Sequence, residues 1–324
     1  MKSILYACIV IALARLSLAA ACPASCICNY DEGSVTCNGR EDFFNHTEIP
    51  DNFTSVVYEK GHLDTISDML MYAHVVSLRI HSSGLSNVND GVFAGMTALK
   101  SLDLRHNNLS ALSVDVFTGL DSLLDLYLSN NHLTTLQPNF FARLPNLVQV
   151  ELDRNNGFQF SASMFGNVSN SLIHISCASC GITEISLVTE ALSTVTSLKD
   201  LNLGSNNLRS LPPRTFEGNP RLETLRLDDC SITNVSKESF AGLVHLHKLY
   251  LGSNEIWNLP IGLFDESKKS LQFVFLESNK LTMLDKSLLD WSSLRELHLE
   301  DNPWICDCSI EWLRQYQLDL TNVT

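Results

Sequence analysis

The chain runs to 324 residues, 45% hydrophobic and 18% charged, with 52 leucines and 26 asparagines. That balance provides enough apolar surface for a large core and excludes both a disordered chain and an integral membrane bundle. A formal net charge of −14 argues against a nucleic-acid or heparin partner, because phosphate binding depends on clustered Lys and Arg.

Residues 1–21 read as a secretory signal: Lys2, an apolar run from Ile4 to Ala14, then Leu18-Ala19-Ala20-Ala21 before Cys22. Arg15 closes the run before it is long enough to span a bilayer. Its removal would take Lys2 and Arg15 with it and leave a charge of −16. No later stretch approaches a membrane span, so contact with a membrane is expected only through a segment outside this sequence. The mature chain is therefore expected to be secreted or held on the outer side of the plasma membrane. Removing Cys8 with the signal leaves nine of ten cysteines, and an odd number in an exported chain needs an explanation.

Residues 22–52 open with Cys22-Pro-Ala-Ser-Cys26-Ile-Cys28, followed by Cys37. Export favours disulfides over zinc, and a C-x-C start is not the usual finger spacing, so no metal or cofactor is expected. Spacing alone leaves three pairings open. Asn45 and Asn52 begin N-glycosylation sequons here; Asn108, Asn167, Asn234 and Asn322 begin others.

From Phe53 to residue 301 one unit recurs. Leu99-Lys-Ser-Leu102-Asp-Leu104-Arg-His-Asn107-Asn-Leu109 carries apolar residues at positions 1, 4, 6 and 11 and Asn at position 9. The pattern restarts at Phe53, Val75, Leu99, Leu123, Leu147, Leu172, Leu198, Leu222, Leu246, Leu271 and Leu294, a period near 24. Alternation at positions 4 to 6 predicts a short strand with two side chains in the core and one outside. Stacked units then form a parallel sheet. Where position 9 is Asn, its amide is expected to satisfy backbone groups released as the strand ends. Phe93, Phe117, Phe141, Phe165, Phe216, Phe240 and Phe264 all fall at position 19, predicting an aromatic stack on the far side of the core. The units starting at Leu147 and Leu172 are least regular: Gly157 replaces the position-11 Leu, and Asn167-Val-Ser-Asn-Ser lengthens the connection.

These residues resemble the extracellular leucine-rich repeat family, with its LxxLxLxxNxL motif. The resemblance covers residues 22–316 and implies an α/β repeat solenoid, a horseshoe of about eleven repeats with a concave parallel sheet. An arc of eleven strands would be roughly 50 Å long. It also implies an amino-terminal cap bonded Cys22 to Cys28 and Cys26 to Cys37. Residues 302–324, beginning Asn302-Pro303-Trp304-Ile305-Cys306-Asp307-Cys308, resemble the start of the family's carboxy-terminal cap, with Trp304 over the last core layer. No cysteine follows Cys308, and a C-x-C pair does not easily close on itself, so its partners are expected beyond Thr324.

Cys177 sits at inward position 6, and Cys180 and Cys230 at position 9. All three are expected as buried free thiols acting as small hydrophobes; the alternatives are a redox C-x-x-C and a local disulfide.

Outward positions are free of core duty, so specificity belongs there. Tyr250, Phe273, Phe275 and His298 place aromatics on neighbouring strands, the kind of surface enriched at binding hot spots. Asp103, Tyr127, Glu151 and Asp153, with Arg105, Asp125 and Arg154, form a mixed, acid-rich patch suited to a basic partner. No H-E-x-x-H, G-x-S-x-G or phosphate loop is present, so no enzyme is expected. The expected role is recognition of a protein ligand by a receptor or adhesion ectodomain; the alternative is a secreted matrix or serum-type structural glycoprotein.

Overall fold

The computed structural model describes residues 22–23, 26–38, 49–66, 72–166, 171–305 and 311–313. The signal-like segment 1–21, Asn45, Asn167 and Asn322, the lengthened connection at 167–170, and Cys306 and Cys308 lie outside these residues.

A thirteen-stranded sheet carries the molecule. It begins with β1 (Cys26–Asn29) and β2 (Ser34–Asn38), an antiparallel pair. Two flanking strands, β4 (Thr65–Ile66) and β6 (Asn87–Val88), interleave in sequence with β3 (Ser55–Glu59) and β5 (Ser77–His81). The sheet continues through β7 (Ser101–Asp103), β8 (Asp125–Tyr127), β9 (Gln149–Glu151), β10 (His174–Ser176) and β11 (Asp200–Asn202). A second flanking pair, β12 (Ser210–Leu211) and β14 (Asn234–Val235), brackets β13 (Thr224–Arg226). The sheet ends with β15 (Lys248–Tyr250), β16 (Phe273–Phe275) and β17 (Glu296–His298). From β2 onward every pairing is parallel and each strand lies beside that of the next unit, so the eleven predicted units each supply one strand. Position 4 pairs with position 4, as Leu102 with Leu126 and Leu126 with Val150. A one-residue slip would turn these buried leucines to solvent, which is why the register is firm.

The strand ends explain the asparagines. Asn107 Oδ1 accepts from the N–H groups of Ser83 (3.1 Å) and Leu85 (3.2 Å), and its Nδ2 donates to the carbonyls of Ile80 (2.7 Å) and Leu104 (2.9 Å). The residue before each ladder position takes a left-handed conformation: φ is 56° at His106, 57° at Asn130, 56° at Arg154 and 54° at Ser205. That turn aims the next side chain inward. Sequence patterning misses it, because the residues there share no side-chain type.

The cysteine expectation is corrected in part. Cys177 and Cys180 form a disulfide, with Cα atoms 5.6 Å apart. The left-handed turn at Ser179 folds position 9 back toward position 6, bringing the pair within bonding range. Cys230 is free and buried, as expected, and burial pushes its thiol up to about 12. It donates to the Leu203 carbonyl (3.1 Å), doing part of the work of an Asn. Neither cysteine offers an amide oxygen, so the N–H groups of Gly157 and Leu208 turn to the backbone carbonyls of Cys180 (2.8 Å) and Cys230 (3.0 Å).

The far side of the core holds two aromatic stacks. Phe93 and Phe117 lie 6.2 Å apart and Phe141 and Phe165 5.0 Å, linked through Phe140; Phe216, Phe240 and Phe264 follow at 6.3 and 5.7 Å. Between them helix α1 (Ile185–Leu192) buries Ile185, Val188, Ala191 and Leu192, which replace the missing Phe with a helical face. Such aromatic pairs contribute about 0.5–1.5 kcal/mol each beyond area burial. Gly119, at φ 89°, lets the connections approach: a Cβ there would lie 2.8 Å from the backbone of Ala94.

The amino-terminal cap is bonded Cys22 to Cys28 and Cys26 to Cys37, as the resemblance implies. At the other end Trp304, Trp291 and Trp312 each pack partly buried against the core, with the rings of Trp291 and Trp312 4.5 Å apart. The Trp304 indole N–H donates to the Leu299 carbonyl (3.0 Å). Among the described residues no helix is long and apolar enough to cross a membrane.

Candidate functional site

Parallel pairing in register converts position 5 into a continuous row across the concave sheet. In the carboxy-terminal half this row is Arg226, Tyr250, Phe275 and His298, on β13, β15, β16 and β17. The Arg226 guanidinium carbon stands 3.8 Å over the Tyr250 ring. Tyr250 stacks on Phe275 at 4.3 Å with 4° between planes, and Phe275 on His298 at 4.8 Å. Strand spacing of about 4.8 Å matches the stacking distance of flat rings, so the sheet itself builds the ladder. Phe273, one row over, carries the Lys248 ammonium at 5.1 Å. The three rings of Tyr250, Phe273 and Phe275 are half-buried, and stacking covers both faces of Tyr250 and of Phe275.

His298 closes the row between two carboxylates, with Nδ1 2.8 Å from Glu300 and Nε2 2.8 Å from Glu296. Hydrogen bonds to the carboxylates of Glu300, then Glu296, raise its pKa above the ordinary histidine value. The aromatic row thus has a cation at one end and a readily protonated imidazole at the other.

The second predicted cluster is assembled but differently occupied. Asp103 is 4% exposed. Its carboxylate accepts from Arg105 Nε (2.9 Å) and Nη2 (2.8 Å) and from Arg79 Nε (3.0 Å). Burial opposes ionisation, but these hydrogen bonds and charges outweigh it and hold the carboxyl below the usual range. Arg105 lies 4.8 Å over the Tyr127 ring and 3.7 Å from Glu151. Burial raises the Glu151 pKa, against the pull of Arg105. Asp153 accepts from the Ser176 hydroxyl (2.5 Å) and the Ala178 N–H (2.7 Å). The structure therefore brings Asp103, Tyr127, Glu151 and Asp153 onto neighbouring strands, but ties Asp103 and Asp153 into internal bonds.

The sequons at Asn52, Asn108 and Asn234 are exposed, and Asn234 lies on flanking strand β14, off the concave sheet. Sequence reasoning passed over a flank near the carboxy-terminal end. There Trp257, Ile261 and Met283 are more than half exposed, and Ile261 and Met283 line a recess of about 600 Å³ with Leu259, Pro260 and Trp312. The three exposed residues fall at positions 12, 16 and 13 of their units, outside the recurring positions, so no periodic signal points to them. Among the described residues no group of three or more His, Cys, Asp or Glu side chains is placed to hold a metal ion.

Comparison with known proteins gives the same architecture. Over 124 residues the chain is 34% identical to "Leucine-rich repeat-containing G-protein coupled receptor 5" of Xenopus tropicalis, a match taking in 36% of this chain and 14% of that protein. Over 97 residues it is 33% identical to the "NT-3 growth factor receptor" of Mus musculus, covering 27% of this chain and 12% of that one. The solved mouse RP105/MD-1 complex contains a chain that superposes with a TM-score of 0.72 at 20% identity, over 89% of this chain and 49% of that chain. The chain thus spans less than half the length of each of these proteins. Residues 73–133, 99–158, 186–232, 196–256 and 220–267 match the leucine rich repeat family model. These stretches together take in more than half of the sequence, and the chain belongs to the leucine-rich repeat family.

Proposed function

We propose that the chain is an extracellular recognition module, the ligand-binding ectodomain of a receptor or adhesion protein, and that it acts by binding a protein on its concave face without catalysis. One observation carries this reading: the stacked row Arg226–Tyr250–Phe275–His298 is pre-organised on a rigid sheet. Flat rings already held in place lose little conformational entropy when covered, so their burial goes largely into affinity. The similarity to two proteins named as receptors supports the same role. The signal-like segment 1–21 and the exposed sequons fit an exported glycoprotein.

The test is recovery of partners from extracellular fractions by the full chain and by its Tyr250→Ala and Phe275→Ala variants, with the fold checked by circular dichroism. Loss of the captured protein in both variants is the expected result. Unchanged recovery on an intact fold refutes a concave-face site and favours the matrix-type structural reading.

A further inference from the structure

We infer that the carboxy-terminal half of the concave sheet receives an extended arginine- or lysine-bearing segment of a partner protein, whose aliphatic stems lie along the open edges of the Tyr250–Phe275 stack and whose cationic ends reach Asp228 and Glu277. This rests on the reading of the concave face as a binding site and names the chemistry of its occupant.

Charge is distributed unevenly along the strand-exit edge of the sheet, positions 7 and 8 of each unit. In the first seven units this edge carries Glu59 and Asp153 against Lys60, Arg105 and Arg154. In the last four it carries Asp228, Asp229, Glu277, Glu300 and Asp301 and no Lys or Arg. Among the described residues, no Lys or Arg forms a salt bridge with any of these five; Glu300 pairs with His298.

Two of the five have unmet hydrogen-bonding capacity. Asp228 Oδ1 and Glu277 Oε2 are buried with no hydrogen-bond partner. Both carboxylates fold down over glycines on the preceding strand. A Cβ on Gly204 would meet Asp228 Oδ2 at 3.2 Å, and one on Gly252 would collide with the Glu277 carboxylate. Glycine at these places makes room for acids lying against the sheet. Both side chains are partly exposed, so each carboxylate, unpaired among the described residues, offers its other oxygen to a charge-assisted hydrogen bond from a partner.

The amino-terminal half contains an internal version of this contact. Arg105 stacks on Tyr127 at position 5 while its fork grips Asp103. Around Tyr250 and Phe275 both ring faces are already covered, by Arg226 and Phe275 and by Tyr250 and His298, so a partner meets the ring edges and the acids beside them. Positions 5 and 7 are about 6.5 Å apart along a strand, the reach of an arginine whose stem lies along a ring edge. A second copy of this chain is a poor occupant, since each copy carries a net charge of −14.

The experiment uses the full chain and a fluorescein-labelled alternating Arg-Ala octapeptide, read by fluorescence polarisation. Citrulline-Ala and Glu-Ala octapeptides are the uncharged and reversed counterparts. Asp228→Asn and Glu277→Gln are expected to weaken Arg-Ala binding about tenfold each, the loss of one charge-assisted hydrogen bond. Glu184→Gln with Glu190→Gln, the same charge change at exposed positions around α1, is expected to leave it unchanged. Absence of Arg-Ala binding, equal binding of the citrulline peptide, or equal weakening by the α1 pair overturns the inference. Should Tyr250→Ala abolish capture of an extracellular partner while Asp228→Asn and Glu277→Gln leave that capture intact, the concave site stands and its basic occupant does not.

Discussion

Replacing Asn131 by Ala tests the ladder at one rung. Asn131 is 3% exposed, accepts from the Leu109 N–H (3.1 Å) and donates to the carbonyls of Leu104 (3.0 Å) and Leu128 (2.9 Å). The three losses are not equal. Leu104 keeps the Asn107 amide at 2.9 Å, and Leu128 keeps that of Asn155 at 3.1 Å, so each carbonyl retains one donor. The Leu109 N–H has no other acceptor among the described residues and is orphaned in the core. An orphaned buried group costs about 1–3 kcal/mol, and two weakened acceptors add about 0.5–1 kcal/mol each, so the expected loss is about 2–5 kcal/mol. Asn131→Asp should lose more than Asn131→Ala, because it sets a carboxylate against two carbonyls. Urea unfolding of both variants measures the totals, and amide exchange at Leu109 locates the damage. A loss under about 0.5 kcal/mol for Ala, or an Asp variant as stable as wild type, refutes the account of the ladder.

Three further outcomes follow from particular contacts. Alkylation under denaturing, non-reducing conditions should label Cys230 and spare Cys177 and Cys180; labelling of the latter two contradicts the local disulfide. Reducing that bridge should cost about 2 kcal/mol, the loop entropy of so short a ring. Gly119→Ala should lower stability by about 1–3 kcal/mol, because it forces a positive φ and a backbone clash at Ala94, and an unchanged melting temperature counts against that close approach. The two carboxylates at Arg105 should respond oppositely to pH. The Asp103 pKa is depressed on folding, so its stabilisation is present above the ordinary Asp range and is lost as pH falls through the lowered value. The Glu151 pKa is raised, so stability falls as pH rises from the ordinary Glu value toward the raised one. Glu151→Gln is therefore expected to raise the melting temperature at neutral pH and to leave it unchanged near pH 3; a drop at neutral pH reverses the assignment.

Repetition made most of the fold legible in advance. Apolar residues at the same two strand positions in eleven units, with Phe at position 19 in seven of them, carry far more information than any single helix or strand signal, and the strand register and the aromatic stack follow from them. The stack also shows where such reading stops. Phe140, which joins Phe117 to Phe141, and α1, which substitutes for the missing ring, sit where the pattern breaks.

The candidate site was legible as a row of residues and not as chemistry. Spacing puts Tyr250, Phe275 and His298 on adjacent strands, because every unit contributes the same position to the same row. Which carboxylates are already paired depends on side chains from other units leaning along or across the sheet. Arg105 reaches sideways to Asp103 and Tyr127, while Glu277 leans over Gly252 and finds no donor. The acid-rich middle that the sequence offers to a basic partner is thus partly neutralised from within, and the open carboxylates lie further along the arc. The sequence by itself determined the solenoid and its register, since these depend on a local pattern repeated, whereas the pairing in the amino-terminal cap followed from the family resemblance and not from spacing. The tertiary structure decided the Cys177–Cys180 bond and the distribution of unpaired charge. Those outcomes depend on distances set by backbone turns and by neighbouring strands, which a linear pattern does not contain.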